Sequence, residues 1–82
     1  MKREYLVLYD YGMGGVWAYL TAESEHQIRE RFPQLRVVTE TPSWWTTEVE
    51  ARTRDGMTMD IDDESHPFLA ALRKGQEASG TL

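Results

Sequence analysis

Hydrophobic positions along the chain fall into short runs of two different periods. Glu4 to Tyr11 (EYLVLYDY) and Val16 to Ala22 (VWAYLTA) are rich in β-branched and aromatic residues and read as strands. Gly12-Met13-Gly14-Gly15 separates them, and glycine supplies the positive φ that a tight reversal needs. The parity of that loop decides which side chains share a face. With a four-residue loop and Tyr11 opposite Val16, Trp17 and Tyr19 lie on the face of Leu6 and Leu8. An odd loop instead gathers Tyr5, Val7, Tyr9, Trp17 and Tyr19 on one face and Leu6, Leu8, Val16, Ala18 and Leu20 on the other. The odd loop separates aromatics from aliphatics more cleanly, a bulge at glycine makes it ordinary, and it is the expected register. Under either register both faces are apolar.

The period then changes. Ser24-Glu25-His26-Gln27 has the pattern of a capping box, and Ile28 and Phe32 lie four apart on one face of a helix over 24–32. Glu25 and Arg29 pair in the favourable direction, and Pro33 ends the helix. Leu35 to Thr39 (LRVVT) reads as a third strand. Strand, helix, strand implies a crossover with strand three parallel to strand two. Strand three then fits beside strand one, a split βαβ of order 2-1-3, and the two-sided hydrophobicity of residues 5–9 suits the central place.

Residues 46–62 admit two readings. Thr47, Val49, Ala51, Thr53, Met57, Met59 and Ile61 alternate across Arg54-Asp55-Gly56, which describes a β-hairpin. Thr47-x-x-Glu50 is also a capping box, with Glu48–Arg52 and Glu50–Arg54 at helical spacing. A last helix is expected over 66–74: Ser65 starts it, Pro67 sits in its first turn, and Phe68, Leu69 and Leu72 form its apolar face. Arg73 and Lys74 suit its C-terminal dipole, and Gly75 stops it. The fold class is therefore α+β, a small antiparallel-type sheet in one domain over 1–75 with a disordered tail over 76–82.

Composition narrows the function more by exclusion than by assignment. The 82 residues include no cysteine, which removes disulfide frameworks, zinc ribbons and thiol nucleophiles. Nine basic residues against fourteen acidic give a net charge of −5, so direct nucleic-acid binding is not expected. Most of the excess is the run Asp60-Ile61-Asp62-Asp63-Glu64. No apolar stretch is long enough to span a membrane, and the opening Met1-Lys2-Arg3-Glu4 does not read as a signal peptide, so a cytoplasmic location is expected.

Each candidate for chemistry has a plainer counterpart. The glycines at 12–15 are followed by a strand, whereas a dinucleotide fingerprint needs a helix there and a P-loop needs Gly-Lys-Ser/Thr. A hairpin loop is the better account. Asp60, Asp62 and Asp63, with His66 nearby, offer oxygens to a cation, but Ser65 and Ala71 stand where an EF-hand wants Gly and Glu. A solvated acidic loop preceding a helix N-terminus is expected, with no metal and no cofactor. His26 and His66 lie in first helical turns without neighbours suggesting a triad. No catalytic residue is assigned. The real excess is aromatic: Tyr9, Tyr11, Trp17, Tyr19, Trp44 and Trp45 form a candidate interaction surface.

Three stretches resemble a set of short uncharacterised bacterial proteins: Tyr9-Asp10-Tyr11-Gly12-Met13-Gly14-Gly15 between two strands, Pro42-Ser43-Trp44-Trp45, and Asp60-Ile61-Asp62-Asp63 before a Leu/Ala-rich segment. The resemblance covers most of residues 5–73 and implies no activity. It implies a helix over 46–54 and a short extended segment at Met57–Ile61, while the doubled Trp45 and the Thr-rich turn depart from it.

Two apolar sheet faces with few helices to cover them point to a non-enzymatic protein-interaction module, pairing with itself as a homodimer or with another protein. Two further classes stay open. One is a small enzyme or ligand-binding protein with a pocket between the aromatic strands and the 60–66 loop, and the other is an acidic nucleic-acid mimic.

Overall fold

The computed structural model describes residues 1–12 and 14–80, with side chains through Gln76. Its elements in chain order are β1 (Arg3–Asp10), β2 (Gly15–Ala22), α1 (Glu25–Arg31), β3 (Leu35–Val37), α2 (Thr47–Gly56), β4 (Thr58–Asp60) and α3 (Pro67–Gly80). The class is α+β. The four strands form one mixed sheet of order β3-β1-β2-β4. β1 is antiparallel to both β2 and β3, as the split βαβ requires. The expected three strands are thus extended by β4, which runs parallel to β2 and makes the sheet mixed rather than antiparallel.

The β1–β2 register corrects the expected parity. Asp10 pairs with Gly15 and Leu8 with Trp17, so four residues, 11–14, connect the strands. Leu6, Leu8, Trp17 and Tyr19 consequently share one face, and Tyr5, Val7, Tyr9, Ala18 and Leu20 share the other. The physical reason lies at Gly12, whose φ of 92° supplies the left-handed residue, so that no extra bulge residue is needed. Tyr11 N–H closes the turn by donating to the Gly14 carbonyl (3.2 Å).

The second of these faces carries the core. Val7, Ala18, Leu20, Ile28, Phe32, Leu35, Met59, Ile61, Leu69 and Leu72 are buried together, with Tyr5 and Tyr9 packed against them. α1 reaches it as expected: Ser24 Oγ accepts from Gln27 N–H, and Gln27 Oε1 accepts from Glu23 N–H. Phe32 caps the helix, its N–H donating to Ile28, before Pro33 turns the chain. Ile28 and Phe32 are fully buried, each contributing about 1.5–3 kcal/mol.

Residues 46–62 resolve as helix followed by a short strand, and the hairpin does not form. The cap is Thr46, one residue earlier than the Thr47 box, with its Oγ1 accepting from Val49 N–H. α3 continues through Gly75 to Gly80 instead of stopping at 74. The residue ahead of it, His66, caps it through Nδ1, which accepts from Phe68 N–H (3.1 Å). Residues 76–80, expected in the tail, are helical, and 81–82 lie outside the described residues.

Candidate functional site

α2 lies against β2 and β4, and the way it is attached explains what it leaves uncovered. It buries no residue, so it has no apolar stripe to seal the Leu6–Leu8–Trp17–Tyr19 face. Polar and π contacts hold it instead. Arg54 stacks over the Tyr19 ring with its guanidinium carbon 4.1 Å from the centroid, and it pairs with Glu4 and Glu50. Tyr19 is 6% exposed beneath this cover. Burial pushes its phenol above the ordinary value, the Glu50 carboxylate adds to the rise, and Arg54 and the Trp45 side chain oppose it.

Further along β2, the chain ahead of α2 folds down as a turn, Trp45 N–H donating to the Pro42 carbonyl (2.9 Å). This turn sets two indoles against Trp17. The Trp17 and Trp44 rings meet edge to face at 87° with centroids 5.4 Å apart. Trp17 and Trp45 are 4.9 Å apart, and Trp44 and Trp45 are 5.7 Å apart, both pairs tilted. The edge-to-face pair follows the ring quadrupoles. Trp44 remains 54% exposed. Beside it opens a groove of about 590 Å³ whose lining includes Leu8, Trp17, Arg36, Val38, Glu40 and Trp44. A second groove, lined by Asp10, Gly12, Gly14 and Gly15, shares Leu8 and Trp17 with the first and continues it to the hairpin tip.

Of the aromatic residues expected at the surface, the structure brings together Trp17, Trp44, Trp45 and Tyr19. It separates Tyr9 and Tyr11. Their rings contact one another (6.2 Å), but Tyr9 packs on the core face and Tyr11 is exposed at the hairpin end. The groove residues Leu8, Arg36, Val38 and Glu40 escaped the sequence reading. Four-residue parity would have placed Leu8 beside Trp17, and alternation from Leu35 would have put Arg36 and Val38 on that face.

The 60–66 loop is exposed over 62–65, as a solvated loop is, and its carboxylates are also ion-paired. Lys2 Nζ binds Asp60 Oδ1 and Asp62 Oδ2, both at 2.8 Å, and Arg31 binds Asp62 Oδ1 at 2.6 Å. Arg73 holds Glu64 (2.6 Å), and Asp63 accepts from Ser65 Oγ (2.6 Å). Lys2 foremost keeps both Asp60 and Asp62 carboxyls below the ordinary aspartate value, with Arg31 assisting at Asp62. The run therefore ties the first and last parts of the chain together. Among the described residues, no His/Asp/Glu group is arranged to hold a metal ion. Register places this loop away from the tryptophans: Asp60 pairs with Thr21, toward the end of β2, whereas Trp17 lies near its start.

No helix of the described residues is long and apolar enough to cross a membrane. Comparison with known proteins finds no matching family model, no matching curated protein and no matching solved structure.

Proposed function

We propose that this chain is a cytoplasmic, non-enzymatic interaction module that pairs with a second copy of itself through the tryptophan-lined groove. The observation that carries the reading is the exposed Trp44 packed edge to face with Trp17, with Leu8 in the same groove, on a sheet face that α2 covers only in part. Rigid aromatic side chains at the centre of a patch supply much of the binding energy in protein interfaces, because they bury large area at low entropic cost. The groove offers two unlike charges, Arg36 and Glu40, at its rim and apolar side chains on its floor, which is the layout of a protein interface. The occupied carboxylates of residues 60–64 weigh against a nucleic-acid mimic, and their distance along β2 from Trp17 weighs against a pocket shared with the aromatic strands.

Sedimentation velocity on the wild type and on Trp17→Glu tests the proposal. The wild type should sediment as an assembly heavier than the 9.5 kDa chain at micromolar concentration. Trp17→Glu should sediment as a single chain with far-ultraviolet circular dichroism retained. Dissociation accompanied by loss of that signal would make Trp17 a core residue and overturn the reading.

A further inference from the structure

We infer that the cleft between the β1–β2 hairpin and α3 is a binding site for a small neutral aromatic molecule of one or two rings. The cleft lies on the core face of the sheet, opposite the tryptophan groove, so the inference is independent of self-pairing. One wall is the hairpin, where Tyr9 and Val16 pair across β1 and β2. The other wall is α3, where Phe68, Ala71, Leu72 and Gly75 recur three and four apart and so share a helix face. Leu72 also belongs to the buried core, so the cleft continues the core toward the hairpin. It encloses about 280 Å³.

Two glutamines hold the cleft in shape. Gln34 Nε2 donates to the Leu72 carbonyl (2.9 Å), and Gln76 Nε2 donates to Gln34 Oε1 (2.8 Å) and to the Arg31 carbonyl (2.9 Å). These amides brace α3 against the chain that follows α1, which fixes how near the helix comes to the hairpin. Gly75 leaves the remaining space unfilled, with nothing within 4 Å of where its β-carbon would stand. Small-molecule sites are usually pre-formed in this way.

The lining selects the occupant. Among the described residues it includes no charged side chain, so an ion entering it would lose hydration without gaining a counter-charge. The Gln34 amide is already committed to Leu72 and Gln76, which leaves the Tyr9 hydroxyl as the side-chain group for one polar atom of the ligand. Tyr9 and Phe68 set an aromatic ring on each wall, and a ring between them gains offset or edge contacts. A dry cavity of about 150 Å³ takes one benzene ring, and pockets for drug-sized ligands begin near about 300 Å³. The volume here falls between the two.

Amide chemical-shift mapping of the full chain, titrated with indole into the millimolar range, tests the site. Saturable shifts should centre on Tyr9, Val16, Ala71, Leu72 and Gly75. Indole-3-acetate, the same rings carrying a carboxylate, should bind about tenfold more weakly or worse. Gly75→Leu puts a side chain into the cleft from a helical position with room for it, and should weaken indole binding about tenfold or more with circular dichroism retained. The comparison of the two probes on the wild type keeps the test decisive if that variant fails to fold. Absence of saturable shifts overturns the inference, as do shifts centred on Trp17 and Trp44, equal binding of indole-3-acetate, or a folded Gly75→Leu that binds indole like the wild type.

Discussion

Leu8 lies across Gly15: a β-carbon added to Gly15 would stand 2.5 Å from Leu8 Cδ1. The glycine is thus required by a neighbour and not by its own backbone, whereas Gly12 is required by its φ of 92°. The two should respond differently to alanine. Gly12→Ala places a β-carbon in the left-handed region and should cost about 1–2 kcal/mol in urea unfolding. Gly15→Ala should cost less, since the end of a flexible side chain can yield, but it displaces the floor of the groove. Its signature should be weakened pairing and a shifted tryptophan emission. Equal stability losses at both positions, with pairing following stability alone, would contradict this division of roles.

Gly75 provides a separate check on α3. It lies inside the helix with open space where a β-carbon would go. Gly75→Ala should therefore raise stability by about 0.5–1 kcal/mol through helix propensity. A glycine acting as a left-handed helix stop would give the opposite sign, so thermal or urea unfolding of this one variant separates the two.

Tyr19 should set the alkaline limit. Its phenol is held above the ordinary value of 10.0, chiefly by burial. A neutral form favoured on folding stabilises the chain below the unfolded value, and this contribution is lost as pH rises through the folded value. Stability should fall from about pH 10 upward, and Tyr19→Phe should flatten that fall. The same fall in the phenylalanine variant would place the titration elsewhere.

The opposite sign governs Asp60 and Asp62. Lys2, with Arg31 at Asp62, lowers their folded values below 3.8, so their contribution is present above that pH and is lost as pH falls through the folded values. Lys2→Ala should move acid unfolding to higher pH. Because these side chains are one-third to one-half exposed, added salt should shrink the difference between variant and wild type. An unchanged acid limit would make the network incidental to folding.

The parts legible in the sequence were those governed by neighbours along the chain. Ser24 and Gln27 announced α1, and the two-sided pattern of residues 5–9 gave β1 its central place beside β2 and β3. The loop parity was not legible, because Gly12, Gly14 and Gly15 all permit a reversal and only one holds positive φ. α2 lacks an apolar stripe, so its alternating Val49, Ala51 and Thr53 resembled a strand as well as a helix. Arg54 on Tyr19 decides the matter, and that contact joins residues far apart in the chain. The same holds for the site. Composition flagged the tryptophans, but the edge-to-face packing of Trp44 with Trp17 and the capture of Asp60 by Lys2 are tertiary facts.

Acrylamide quenching of tryptophan emission, followed together with mass by light scattering across the micromolar range, bears most directly on the groove as the pairing surface. Trp44 is 54% exposed in a single chain and should become shielded when a partner covers it. The expected result is that quenching falls in step with the rise from 9.5 kDa to twice that mass. A chain whose mass doubles while quenching stays constant would put the interface elsewhere, and a chain that never exceeds its single mass would contradict self-pairing altogether.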